Sequence, residues 1–236
     1  MQIIVNHLTR MQKGCMCVAG IDLDTQLPVR PVLDRQMTIN MLAVHGGPFD
    51  IGRIVDLGNT RFAGRVPEVE DQEFQTHQAR HSDDMPQRDF WNLLTNSAHD
   101  KLGTIFGPDL HPAGQSCAVT ETNGLRSLGN YWAANGRLFC NESHNRRRIQ
   151  FQFTSGEYHF TVPVTDIRLF ATDHITPDPN KIQLLAQRIA AQPQTLVSVG
   201  LSRAYRKSPN QPARHWLQIN NFHLPDNPCW TLENIR

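Results

Sequence analysis

The sequence has no apolar run approaching the roughly 20 residues that a membrane-spanning helix requires. Its opening residues, MQIIVNHLTR, lack the charged region, apolar stretch and small-residue cleavage site of a secretory leader. The expectation is a cytoplasmic protein with no membrane partner. An excess of one charge is also missing, since 23 Lys and Arg stand against 22 Asp and Glu for a net charge of +1. That excludes the bulk attraction with which strongly basic proteins coat duplex DNA, so a nucleic-acid surface has to be a local patch. Cysteine is scarce and odd in number: Cys15, Cys17, Cys117, Cys140 and Cys229 are too scattered for a disulfide framework and read as reduced thiols. Neither Gly46-Gly47 nor Gly103 to Gly107 carries the lysine and spacing of a phosphate-binding loop, and no nucleophile elbow is found. No cofactor is expected.

What is present is the composition of a turn-rich globular chain, with 39% hydrophobic residues and 15 each of Gly and Pro over 236 residues, enough for one large domain or two small ones. Short strand patterns occupy Gln2 to Arg10, Cys15 to Leu23, Val29 to Leu33 and Arg53 to Leu57, separated by turn signals. Thr38 to His45 has a capping hydroxyl, an apolar face and a stopping glycine, and predicts a short helix within this series. A helix there suits a five-stranded OB barrel, though other small barrels also hold one. Glu68 to Asp84 is charged and reads as linker, followed by a bridging helix over Pro86 to Leu102.

Strand patterns resume at Ser116 to Thr120, Arg148 to Phe153, Glu157 to Pro163 and Asp166 to Phe170. Asp178 before Pro179, with Ile182, Leu185 and Ile189 on one face, predicts a helix over 179–192. Thr195 to Tyr205 and His215 to Leu224 read as closing strands. The expected architecture is mostly β with a few helices (α+β): a barrel over 1–82, a helical linker over 83–107 and a second barrel over 108–236.

An internal echo supports two related halves. Ile4-Val5-Asn6-His7-Leu8-Thr9-Arg10 and Val197-Ser198-Val199-Gly200-Leu201-Ser202-Arg203 each end in Leu, a hydroxyl residue and Arg. These segments, with Cys17-Val18-Ala19-Gly20-Ile21-Asp22, Val29-Arg30-Pro31-Val32 and His215-Trp216-Leu217-Gln218-Ile219-Asn220-Asn221, resemble the dual OB-containing domain family of prokaryotes over nearly the whole chain. The resemblance implies two OB-type barrels and a nucleic-acid-binding role, often in settings linked to defence against foreign DNA. It transfers no binding residues, so site candidates come from chemistry alone.

OB barrels hold single strands with aromatic faces for bases and Lys or Arg for phosphates. The segment Arg203-Ala204-Tyr205-Arg206-Lys207, with Arg214-His215-Trp216 close behind, supplies both, and Gln218 and Asn220 share the strand face of Trp216; the alternative is a solvated loop with Trp216 in the core. His7 and Arg10 lie in the first echo, and Arg30 sits in an apolar frame where an unpaired charge is costly. The arginines require either a ligand phosphate or an internal carboxylate, with Asp22, Asp56 and the Glu68-Glu70-Asp71 cluster as candidates. Arg146 and Arg147, in a run with Arg148 and near His144, are candidates for phosphate contact or a solvated loop. His77 and His81 have the spacing of metal ligands on a helix, without the accompanying glutamate motif.

Three functions compete. The first is a non-catalytic module for single-stranded or structured nucleic acid, or for a nucleotide. The second is a metal-dependent nuclease built on the acidic and His-containing segment 68–81. The third is an interaction subunit docked on a larger effector protein.

Overall fold

The computed structural model describes residues 1–143 and 146–231. Sixteen strands form two eight-stranded sheets. The first contains β1 (Gln2–Arg10), β2 (Cys15–Asp22), β3 (Pro28–Val32), β4 (Met37–Thr38), β5 (Arg53–Asp56), β6 (Arg61–Phe62), β7 (Asp71–Glu73) and β8 (Arg80–Asp84). The second contains β9 (Ala98–His99), β10 (His111–Ala113), β11 (Ser116–Thr120), β12 (Leu128–Ser143), β13 (Arg146–Ser155), β14 (Tyr158–Pro163), β15 (Gln194–Leu201) and β16 (Arg214–His223). Helices α1 (Gln87–Asn96) and α2 (Leu102–Phe106) lie between the two series, and α3 (Pro179–Ala190) precedes β15. The protein is mostly β, as expected.

In the first sheet the order is β6-β7-β3-β2-β1-β5-β8, with β4 on β2; in the second it is β10-β11-β16-β15-β12-β13-β14, with β9 on β12. Buried apolar side chains of β1, β2 and β5 make the first core, which α1 closes with Phe90 and Leu94. The second core gathers Phe151, Phe153, Phe160 and Phe222 under the face of α3 carrying Ile182, Leu185 and Ile189. Asp178 caps α3 by accepting from the backbone of Asn180 and Lys181, and Pro179 fills the first turn, where a missing N–H costs nothing. Leu196 and Ile167, from the second half of the chain, pack in the first core, so the two sheets interlock.

Four expectations need correcting. Thr38 to His45 forms two separate 3-10 turns, Ile39–Met41 and Ala43–His45, because Leu42 between them is extended. The charged stretch expected to be a linker contributes β7 and β8, which lie near opposite edges of the first sheet, where charged side chains meet solvent or neighbouring charges. Asp166 to Phe170 is a 3-10 turn over Ile167–Leu169, because the Asp166 carboxylate accepts from the Arg168 backbone and bends the chain. The longest strand, β12, was not anticipated. Its Gly129, Asn130, Asn135 and Gly136 read as turn residues, yet they bend the strand through a bulge so that it pairs with β15 and then with β13.

Candidate functional site

Each sheet breaks its register once where it faces the other. In β1 the pairing with β2 skips Asn6, and in β16 the pairing with β15 skips Asn220. A bulged residue is freed from the ladder and its side chain is re-aimed, and both asparagines turn into the seam between the sheets. Asn6 Nδ2 donates to Asn130 Oδ1 at 3.0 Å, and Asn130 Nδ2 donates to Ser97 Oγ at 2.8 Å. Asn220 Nδ2 donates to His7 Nδ1 at 2.9 Å, which leaves the imidazole proton on Nε2. Asn221 imitates a neighbouring strand: its Oδ1 accepts from the Leu8 N–H at 2.7 Å and its Nδ2 donates to the Leu8 carbonyl at 3.3 Å. Ser198 Oγ bonds His223 Nε2 at 2.8 Å, while His223 Nδ1 donates to the Pro228 carbonyl. Burial in this seam, reinforced by the charge of Arg30, lowers the His7 pKa to about 3; burial and Arg168 lower that of His223 well below its ordinary value. Both rings are neutral at physiological pH.

An ion cluster closes one end of the seam. Arg30 lies opposite Asp71 on paired strands, and its Nε meets Asp71 Oδ1 at 2.5 Å with both groups buried. Arg203 reaches across from the second sheet to Asp71 at 2.7 Å and to Glu68 at 3.1 Å. His215 donates from Nδ1 to the Ser202 carbonyl, with Glu68 at 3.6 Å. Glu70 accepts from the Ser127 and Leu128 N–H groups and from the Ser127 hydroxyl at 2.7 to 3.0 Å, and burial raises its pKa against the pull of Arg30 and these bonds. Glu68, Glu70 and Asp71 of the segment considered for metal chemistry are thus held by internal cations and donors. His77 lies in a turn and His81 on β8, so they do not share a helix face. No cluster of three or more His, Cys, Asp or Glu among the described residues is arranged to hold a metal ion.

The opposite echo arginine also reaches the other sheet. The Arg10 N–H donates to the Thr165 carbonyl at 2.8 Å, and its guanidinium stands 5.2 Å from the Phe170 ring centroid. Two Val-Pro segments of unequal length, Val66-Pro67-Glu68-Val69-Glu70-Asp71 and Val162-Pro163-Val164-Thr165-Asp166, end in aspartates that each hold an arginine. Asp166 grips Arg168 through both oxygens, at 2.8 and 2.9 Å. The two spacings differ by one residue, so no exact repeat marks the seam in the sequence, and it is the fold that brings Asn6, Asn130, Ser198, Asn221 and His223 into it.

Beyond the ion cluster the surface turns outward. Tyr205 is 47% exposed, and its backbone pairs with Arg214, closing the loop between β15 and β16. Its ring centroid is 6.2 Å from that of Trp216, and the Lys207 ammonium stands 3.2 Å above the Trp216 ring. Trp216 is buried beneath this cover, and its indole N–H has no partner among the described residues. Burial raises the Tyr205 phenol pKa and Arg148 partly offsets it; burial and Arg214 lower that of Lys207.

Of the residues singled out from sequence, His7, Arg30, His215, Trp216 and Asn220 are buried, Gln218 is half-buried and donates to Asn220 Oδ1 at 3.0 Å, and Arg10 is half-buried. Arg203 is 48% exposed, with its charge shared by Asp71 and Glu68. Arg147 is exposed and paired with Glu142 at 3.5 Å. The Arg146 side chain and His144 lie outside the described residues. Arg206 and Lys207, from the same basic segment, are exposed, Arg214 is half-buried, and Arg148 is exposed on β13.

Comparison with known families decides the relationship. The family model of the dual OB-containing domain matches residues 1–222. The chain belongs to that family. Its two sheets are consistent with the two OB units of the family's name. No curated protein matches the chain. Among solved structures, a murine DNA-binding protein bound with double-stranded DNA is similar at a TM-score of 0.32 and 10% identity, over 97% of this chain and 94% of that one. Among the described residues no helix is long and apolar enough to cross a membrane.

Proposed function

We propose that the dual OB chain is a non-catalytic nucleic-acid-binding module that takes a short single strand across the face formed by Arg148, Tyr205, Arg206, Lys207 and Arg214. The observation that carries this reading is the loop between β15 and β16, which sets the exposed Tyr205 ring 6.2 Å from Trp216 with the Lys207 ammonium over the indole. A strand needs a ring on which a base stacks and cations spaced along its backbone, and this face offers both. The partition of charge supports it further. Glu68 and Asp71 are neutralised inside by Arg30 and Arg203, so the nearby acids do not oppose phosphate at the rim. With a net charge of +1, a few local phosphate contacts suit a short strand better than a long duplex.

Fluorescence anisotropy of labelled single-stranded DNA, single-stranded RNA and duplex across a salt series tests the proposal. Tyr205→Ala is expected to weaken single-strand binding by about 1–3 kcal/mol, the contribution of one stacked base. Arg148→Ala is expected to weaken it and to reduce the salt dependence by about 0.7 in slope, one phosphate contact on a single strand. Both side chains point outward, so stability should change by no more than about 0.5 kcal/mol. Absence of binding to all three probes by folded protein would sink the reading and favour docking on a larger effector protein.

A further inference from the structure

A crevice of about 200 Å³ opens between the sheets, its lining residues Arg126 and Gly129 flanking the Ser127 and Leu128 groups that hold Glu70. Its floor is Asn6, His7 and Asn130, and its walls include Ile21 and Pro28 from the first sheet and Ile105 from α2. Gln26, Leu27, Asn96 and Arg126 stand at the mouth. No Asp or Glu lines it.

Two polar atoms on the floor lack partners. Asn6 is buried and its Nδ2 is spent on Asn130, but its Oδ1 is sealed from solvent without any donor. Leaving such an acceptor unmade costs roughly 1–3 kcal/mol, an unusual expense beside a network in which the surrounding amides are satisfied. His7 gives its Nδ1 to Asn220, so its Nε2–H is a donor with no partner among the described residues. The bulge at Asn6 sets these consecutive residues on the same crevice, where a regular strand would send them to opposite faces. At the mouth, Arg126 is half-buried and has no ion pair among the described residues. Leu27 is 57% exposed beside it, an apolar surface left open.

An acceptor beside a donor is the complement of the edge that every nucleobase presents, a ring N–H or amino group next to a ring nitrogen or carbonyl. The volume lies below the roughly 300–1,000 Å³ of sites for drug-sized ligands, which suits one planar ring held between Ile21, Pro28 and Ile105. A lone guanidinium at the entrance matches one phosphate. We propose that this inter-sheet crevice binds a nucleoside monophosphate, with the base accepting from His7 Nε2–H and donating to Asn6 Oδ1 once the Asn6 amide turns out of its sealed position, and the phosphate held by Arg126. The site is separate from the Tyr205 face, and it stands or falls independently of strand binding there. Because its floor joins the two sheets, an occupant would tie β1 to β12 through the Asn6–Asn130 pair.

Isothermal titration of the full chain with AMP, GMP, CMP and UMP, alongside adenosine and ribose 5-phosphate, tests the proposal. At least one monophosphate should bind, its nucleoside should bind tenfold or more weakly, and ribose 5-phosphate should not bind. Arg126→Ala should weaken the monophosphate about tenfold and leave the nucleoside unchanged. Tyr205→Ala should leave both unchanged. Folded protein that binds none of the monophosphates overturns the proposal, as does monophosphate binding indifferent to Arg126→Ala. Loss of monophosphate binding in Tyr205→Ala overturns it too, by placing the nucleotide on the strand-binding face.

Discussion

The seam and the rim are built from the same residue types and use them in opposite ways. In the seam, Arg30, Asp71, His7 and Asn220 are buried, and each meets a partner inside the protein. At the rim, Tyr205, Arg206 and Lys207 are exposed, and they supply an aromatic ring and positive charge with no ion-paired carboxylate among the described residues. An arginine satisfied inside contributes to the fold and has little left for a ligand. An arginine left at the surface is nearly neutral for stability and available for binding. Residue type and local sequence do not separate the two; the distinction lies in whether a distant segment delivers a counter-charge.

The strongest way to break this comparison is to remove a seam carboxylate. Asp71→Asn leaves Arg30 buried without its counter-charge, and a loss of about 3–5 kcal/mol is expected from chemical unfolding. If stability is unchanged, the cluster is not structural and Arg30 would have to find its partner in a ligand. Acid should act next. His7 has a folded pKa near 3 and an unfolded one near 6.5, so the unfolded chain binds protons that the native ring refuses. Stability is therefore complete above pH 6.5 and falls as pH drops toward 3, by up to about 1.4 kcal/mol per pH unit for each such histidine, with His223 adding in the same sense. Glu70, whose pKa burial raises, works in the opposite direction. Unfolding midpoints at pH 7 and 5 should differ, and His7→Gln should flatten the difference; an equal pH response in that variant would refute the assignment. A smaller effect is expected at Asn221. Asn221→Ala strands the Leu8 N–H and carbonyl, for about 1–3 kcal/mol and faster amide exchange at Leu8.

Alternation and turn chemistry made β1, β2, β14, β16 and α3 legible within a residue or two, because each has one buried face or a capped end. What stayed hidden depends on partners far away in the chain. β7 and β8 look like linker because their charges are polar by composition, yet Asp71 is buried through Arg30, 41 positions earlier, and Arg203, 132 positions later. β12 is hidden by the asparagines and glycines that let it bend. The candidate site divides in the same way: the sequence points to Arg203, Tyr205 and Trp216 as a group and leaves the partner of Arg203 open, and only the fold reveals that Arg203 is spent on Glu68 and Asp71. The bulges at Asn6 and Asn220 leave no periodic signature, since each is one residue of slippage within an otherwise apolar strand.

Lys207 lies on the boundary between the two regions and sharpens it with the smallest expected effect. Its ammonium covers Trp216 from the rim, so part of its charge serves the buried indole and part faces solvent. A cation over an exposed-side ring contributes roughly 0.5–1 kcal/mol, and Lys207→Ala should lower stability by that amount and shift tryptophan emission to the red as water reaches Trp216. The same change should reduce the salt dependence of single-strand binding by about 0.7 in slope if Lys207 also meets a phosphate. A stability loss with an unchanged salt slope would assign Lys207 to the seam alone and narrow the strand path to Arg148, Arg206 and Arg214. A reduced slope at unchanged stability would move it wholly to the rim, and Trp216 would then be covered by Tyr205 without its help.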